Sequence, residues 1–405
     1  MTRPRFLQIH TLSPYTAALL NRDDSGLAKR LPYGGALRTR VSSQCLKRHW
    51  RIADGPHALL SINGVEKSIR SRDLVTDGVV AEARSRLGEE LVEEVASALE
   101  PWFQFAVYGS KKEDRPKERG GKTSKFMEKS SRQTLLFGKP EVDWLTSEFV
   151  RLCKEADGDP DAAFRLGGEW VDGADVSNKA QGEKKAFLNN MKVMRENAAL
   201  PAGLTSALFG RMVTSDPDAN ITAPMHVAHA FTVHAEEAES DYFTAVDDLS
   251  GDEPGADTIQ ETELTSGLFY GYVVIDLPGL VSNLGRDAEL AGQVLHNLIY
   301  LISEVSPGAK LGSTAPYGRA SFMLLEAGDR QPRSLAEAYR TPCDPHTGPA
   351  VAALSQHLAA LDEAYATGEE RRMMSLTNTE VPGAESGSLA DLASWVQSLP
   401  GAALS

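Results

Sequence analysis

Cysteine is scarce in this 405-residue chain: Cys45, Cys153 and Cys343 stand far apart and form no CxxC pair. A disulfide framework and a zinc knuckle are therefore excluded as organising devices. No apolar run approaches the roughly 20 residues that a membrane helix needs, so no membrane role is expected. The segment from Met1 to Pro14 is broken by Gln8, His10 and Pro14 before the apolar core of a signal peptide can form, and the expected location is the cytoplasm. No internal repeat is visible, so any repetitive structure must arise by association of identical copies.

Chemical signatures are also missing. Neither GxGxxG nor GxSxG occurs, and Gly120-Gly121-Lys122-Thr123 supplies only the end of a phosphate-binding loop with no strand before it. His226, His229 and His234 invite a metal-site hypothesis, but strand periodicity puts His226 and His234 on one face and His229 on the other. Asp216 and Asp218 would suit a hard cation that activates water for phosphodiester cleavage. They also stand in the run Ser215-Asp216-Pro217-Asp218-Ala219-Asn220, where Asp is favoured because its side chain accepts local amide hydrogens. Asp247-Asp248 reads as a turn or cap, since adjacent side chains point apart. The expectation is a chain with no catalytic residues, no cofactor and no metal.

What is present is an uneven charge distribution. The formal net charge is −14, yet residues 1–51 carry ten Lys or Arg against Asp23 and Asp24, a net of +8. Residues 107–139 carry ten basic against four acidic residues, a net of +6, which leaves −28 for the remainder. A basic front on an acidic body is an electrostatic footprint for a polyanion, although the middle run equally suits a solvated surface. In the first run, Arg22, Lys29, Arg38, Arg40, Lys47 and Arg51 surround Gly34-Gly35 and a helix start at Ser42-Ser43-Gln44. Glycine permits close backbone approach, and a helix amino-terminus offers amide hydrogens to phosphate. Lys47 and Arg51 are four apart and share one helix face.

The periodicities order the chain. Arg5 to Leu12 reads as a strand, a long charged loop runs from Leu20 to Thr39, and a helix passes through Leu46 and Trp50. Helical spacing dominates from about Val65 to Gly203, interrupted by the basic segment from Gly109 to Ser131. Leu204 to Ala235 reads as a β-hairpin with its tip in the Asp216 turn. A strand over Gly267–Ile275, a helix over Asp287–Ser306, a strand over Ser321–Glu326 and terminal helices over Ala350–Ala364 and Leu389–Leu399 follow. The order fits an interrupted βαββαβ unit, the ferredoxin-like arrangement of RNA recognition modules.

These residues also carry a family likeness. Phe6-Leu7-Gln8-Ile9-His10, Leu20-Asn21-Arg22-Asp23-Asp24, Arg40-Val41-Ser42-Ser43-Gln44 and Phe209-Gly210-Arg211-Met212-Val213-Thr214-Ser215 are four of its motifs. Val227-Ala228-His229-Ala230, Asp241-Tyr242-Phe243-Thr244-Ala245-Val246-Asp247-Asp248-Leu249, Ser266-Gly267-Leu268-Phe269-Tyr270 and Val305-Ser306-Pro307-Gly308-Ala309-Lys310 continue it. The set resembles the CasC family, the repeated backbone subunit of the type I-E CRISPR Cascade complex.

The resemblance implies an α+β fold shaped like a right hand. It would have an RRM/ferredoxin-like palm (1–64 and 236–405), a helical fingers insertion (65–203) and a β-hairpin thumb (204–235). It implies no enzymatic activity, and as partners CRISPR RNA, target DNA, further copies of the chain and Cascade subunits of the CasA, CasB, CasD and CasE type. Carried onto this sequence, Arg22, Lys29, Arg38, Arg40, Ser42, Gln44, Lys47, Arg51 and Arg211 would hold the guide, and Met212 would wedge between its bases. The basic segment, longer than the family pattern, gives Lys111, Lys112, Lys117, Lys122 and Lys125 as DNA contacts. The chief rival is a metal-dependent ribonuclease backbone subunit cutting a guide-paired target RNA through Asp216 or Asp218. A general single-strand binder would show more stacking aromatics in its basic stretch.

Overall fold

The computed structural model describes residues 4–109, 111–121, 130, 132–173, 184–198, 200–244 and 259–404. They form two compact units: Met1–Asn63 with Pro224–Ser282 and Arg286–Ser405, and Gly64–Ala223 with Asn283–Gly285. The fold is mixed α/β.

The first unit opens with β1 (Phe6–Ala18), β2 (Arg30–Tyr33), β3 (Ala36–Val41) and α1 (Ser43–Ile52). In β1 the residues from Leu7 to Leu12 are buried on both faces, which marks a central strand. The long loop expected over Leu20–Thr39 contains the β2–β3 hairpin, and Gly34 and Gly35 are its two-residue turn, with φ of 63° and 80°. A Cβ on Gly34 would lie 1.5 Å from the Arg340 carbonyl oxygen, so this glycine answers to the protein's own backbone. Ser42 caps α1, its Oγ accepting from Cys45 N at 3.3 Å.

The second unit contains β4 (Ser68–Ser71), α2 (Ala81–Leu87), α3 (Glu93–Tyr108), β5 (Leu135–Gly138), α4 (Lys139–Glu155), α5 (Pro160–Asp172), α6 (Lys185–Asn197) and α7 (Gly203–Phe209). It has its own core, in which Phe103 stacks on Trp170 at 4.1 Å beside Phe149 and Phe187. The β4–β5 pair within this helical region was not expected. Leu204–Val213 is not a strand, which corrects the hairpin reading of 204–235. Both alternating faces of that run are apolar, so periodicity does not distinguish a strand from a short helix buried all round, and the latter forms. Gly210, at φ 75°, ends it.

The chain then completes the first unit with β6 (Met225–Val227), β7 (Ala230–Thr232), β8 (Ala238–Thr244), β9 (Ile259–Asp276), α8 (Leu277–Asn283, whose last residue belongs to the second unit), α9 (Ala288–Glu304), α10 (Leu311–Thr314), β10 (Phe322–Gly328), α11 (Thr347–Tyr365), β11 (Glu370–Ser375), β12 (Ala384–Ser386) and α12 (Leu389–Leu404). Among the described residues the main sheet runs β12-β11-β10-β1-β9-β7-β3-β2, with β6 and β8 also on β9. The strands β10, β1, β9 and β6/β7 are antiparallel to their neighbours. β9 lies beside β1 from Thr265 to Asp276; its earlier residues pair with β8 as a two-stranded ribbon, from Ala238↔Thr265 to Thr244↔Ile259.

A buried polar seam crosses four neighbouring strands of this sheet. The Tyr270 hydroxyl donates to His10 Nδ1 at 2.9 Å while accepting from Leu335 N, and His10 Nε2 donates to Glu326 at 3.1 Å. Glu326 also receives Arg333 (2.7 and 2.8 Å) and Arg371 (2.8 Å), and Arg371 reaches Asp362. Burial pushes His10 below its ordinary 6.5 despite the Glu326 carboxylate. For Glu326, burial alone would raise the value, but the hydrogen bonds from His10 and Arg333 and the Arg333 charge outweigh it and hold the carboxyl far below 4.5.

Candidate nucleic-acid interface

Three of the expected cations converge at the start of α1. Hydrogen bonds from Lys29 N to Asn21 O (3.0 Å) and from Arg40 N to Lys29 O (2.7 Å) bind the loop to β3, while Ser42 N donates to the Asn21 side chain at 2.9 Å. Asp23 closes the loop as an Asx turn, accepting from Ser25 N and Leu27 N, which leaves Arg22 exposed beside the Arg22↔Ala28 bridge.

His229 marks the centre of the cluster. Its Nδ1 accepts from Ser43 N (3.2 Å) and Arg40 Nη1 (3.3 Å). Partial burial, then the charges of Arg40, Lys29 and Lys47, hold the imidazole below 6.5 and keep it a neutral acceptor. Lys29 and Arg40 are joined by their backbone hydrogen bond, Arg40 touches His229, and Lys47 lies on α1, which starts at the Ser43 amide that His229 accepts from. Arg51 follows Lys47 by one helical turn and, like it, is half-buried; Gln44 is exposed at the helix start. Sequence reasoning missed His229 as a member of this cluster. Strand alternation set it apart from the other histidines, and nothing local tied it to Arg40.

Two expected ligands are corrected by burial. Arg38 is fully buried, and its guanidinium donates to the carbonyls of Thr232 (3.0 Å), Tyr339 (2.9 Å) and Arg340 (3.3 Å). Arg211, in the second unit, is buried against Glu141 at 2.6 Å and donates to Ala219 O at 2.9 Å. Both side chains hold backbone together and are closed to a phosphate. Ser42 is also buried, with its hydroxyl used as the α1 cap. Met212 is different: it is 67% exposed between buried Arg211 and Val213, so its thioether stands out from a fixed backbone.

In the basic middle run the arginines are ion-paired: Arg115 with Asp172 (2.6 Å), Arg119 with Asp161 (2.7 Å) and Arg132 with Asp73 (2.5 Å). Lys111 and Lys117 are exposed. Lys122 and Lys125 lie outside the described residues, as does the side chain of Lys112 and the pair Asp247-Asp248.

Asp216 is buried and its carboxylate takes Arg195 at 2.6 Å, while Arg195 also reaches Glu141 at 2.7 Å. Asp218 is exposed on the short 3-10 turn Pro217–Ala219. His234 is occupied by backbone, with Nε2 accepting from Leu268 N at 3.1 Å and Nδ1 against Ala235 O at 2.7 Å. Among the described residues no three His, Cys, Asp or Glu side chains come together as a metal site, and no helix is long and apolar enough to cross a membrane.

Residues 7–398 match the family described as CT1975-like protein. A solved chain from a "CRISPR RNA-guided surveillance complex, pre-nicking" is similar to this one at 25% identity and a TM-score of 0.74, over 98% of this chain and 100% of that one. A chain from a "CRISPR RNA-guided surveillance complex" shares the fold at 22% identity and a TM-score of 0.67, over 97% and 99%. No curated protein sequence matches this chain.

Proposed function

Because this chain belongs to the CT1975-like protein family, we propose that it is a subunit of a CRISPR surveillance complex that binds guide RNA and assembles as repeated copies along it. The observation that carries the reading is the cationic cluster at α1: Arg40 is bonded to His229 and, through its amide, to Lys29, Lys47 stands on α1, and Arg22 and Gln44 are exposed beside them. These groups contact phosphate without reading bases. Sequence choice would then rest on pairing between guide and invading DNA, so one chain serves any guide.

The finer CasC-like, type I-E reading belongs here too. The antiparallel order β10-β1-β9-β6/β7, with α1 after β1 and α9 after β9, supports a ferredoxin-like palm. The helical second unit supports the fingers. For the thumb, we take the β8–β9 ribbon in place of 204–235, since the ribbon is the antiparallel pair that runs on past β1. Lys111 and Lys117 remain proposed DNA contacts, and copies of the chain and other Cascade subunits remain proposed partners in the cytoplasm. We hold the role to be non-catalytic: of the two carboxylates a ribonuclease reading offers, Asp216 is committed to Arg195 and Asp218 stands exposed on the Pro217–Ala219 turn.

Co-expression with the neighbouring genes, followed by sequencing of bound RNA, tests the proposal. Repeat-flanked RNAs of uniform length are expected. Purified material that neither retains RNA nor multimerises on such a transcript would refute it. Regular cleavage of a complementary RNA with divalent metal, lost in Asp216→Ala, would instead establish the ribonuclease.

A further inference from the structure

Two cations not assigned to the RNA site grip the β8–β9 ribbon where it leaves the sheet. Arg30, next to Lys29, donates through Nε to Glu236 and through Nη2 to Glu263. Glu263 lies in β9 opposite Ser240 of β8, is buried, and accepts a second bond from Ala28 N at 2.7 Å. Its neighbour Thr262 points to the opposite face, as adjacent strand residues must. There Lys310 Nζ donates to Thr262 Oγ1 at 3.1 Å. Lys310 is itself fixed by the hydrogen bond from Ala309 N to Leu19 O, two residues before Asn21. One face of the ribbon base is thus tied to the loop of Lys29, the other to the end of β1. The first tie continues inward, because Arg40 Nε donates to the Arg30 carbonyl at 3.3 Å.

We propose that Arg30 and Lys310 are positioning residues that clamp the ribbon base from both sides and fix it relative to the cationic loop, and that Arg30 is not a phosphate ligand. This rests on the RNA-binding reading above. The charge count supports it: Arg30 faces two carboxylates, so its positive charge is compensated within the protein. The arrangement gives opposite expectations from those of a purely electrostatic role. If Glu263 were only a negative charge near the RNA path, its neutralisation would tighten RNA binding. If it is half of a clamp, neutralisation loosens the ribbon and weakens ordered assembly despite the gain in net charge.

The full-length chain, free and with a repeat-flanked single-stranded RNA, is the material for the test. In Glu263→Gln without RNA, amide exchange at Ala28 and across 238–244 and 259–265 is expected to rise about tenfold, the scale of a lost charge-assisted hydrogen bond. With RNA, the same variant is expected to form shorter arrays. Arg30→Gln is expected to leave the salt slope of binding unchanged, where loss of a true phosphate contact lowers it by about 1. The charge-swapped pair Arg30→Glu with Glu263→Arg is expected to regain slow exchange. Unchanged exchange in Glu263→Gln with tighter RNA binding overturns the clamp, and so does a lower salt slope in Arg30→Gln. Should the unaltered chain bind no RNA, the functional reading fails, while the exchange arm still decides whether the clamp exists.

Discussion

Arg38 and Lys47 carry the same charge on neighbouring elements and have opposite tasks. The Arg38 guanidinium satisfies the carbonyls of Thr232, Tyr339 and Arg340 in the interior. Arg38→Met leaves those acceptors without a donor, and a loss of about 3 kcal/mol in unfolding free energy is expected by denaturant titration. Lys47→Ala, at a partly exposed position, should cost less stability than Arg38→Met. It should weaken RNA binding for all sequences alike and lower the salt slope by about 1, read by titration at several salt concentrations. The sequence distinguishes cations from other residues but not these two kinds, because the carbonyls that claim Arg38 lie on β7 and in the segment before α11. His229 was illegible for the same reason: its partners, Ser43 and Arg40, are distant in the chain.

Among the elements, those with local causes were readable. Ser42-Ser43 ahead of Leu46 and Trp50 marked the start of α1, with Ser42 the one that caps it, and Asp287 marked α9, because a cap is decided within one helical turn. Ser42→Ala is expected to cost about 1 kcal/mol by thermal or denaturant unfolding. The helix α7 was misread because six of its seven residues are buried and leave no exposed polar face to set a period. β11 joins the sheet by pairing with β10, and β12 by pairing in parallel with β11, which no local signal announces. The sheet's polar seam has its own signature in pH. Native His10 resists protonation, so below 6.5 the unfolded chain takes up a proton that the folded one does not, and stability falls with pH. Glu326 is likewise held deprotonated, and its contribution is lost in turn as pH falls below 4.5. Denaturant titrations between pH 8 and pH 4 should show stability declining below 6.5 with a slope of up to about 1.4 kcal/mol per pH unit. His10→Gln should flatten the upper part of that decline, and an unaltered slope would assign it to other groups.

At the level of the whole molecule, the division into two units follows from where apolar side chains find partners. The core built around Phe103, Phe149, Trp170 and Phe187 draws its buried residues from Leu74 to Ala219 alone. A domain with its own core folds alone in principle, so a fragment of residues 64–223 is expected to be folded. The fragment lacks Asn283, whose side-chain amide donates to Ala207 O (3.0 Å) and Thr222 O (2.9 Å). Their loss costs about 1 kcal/mol each, a fraction of the 5–15 kcal/mol typical of a domain. The fragment should therefore unfold in one cooperative transition, with near-ultraviolet dichroism from the ordered Trp102, Trp144 and Trp170 and no cationic α1 site. It should not assemble on guide RNA, while retaining the exposed Lys111 and Lys117 through which DNA contact is proposed. A fragment without a cooperative transition would mean that its core depends on the rest of the chain. One that multimerises on RNA would move the guide site into the helical unit and away from α1.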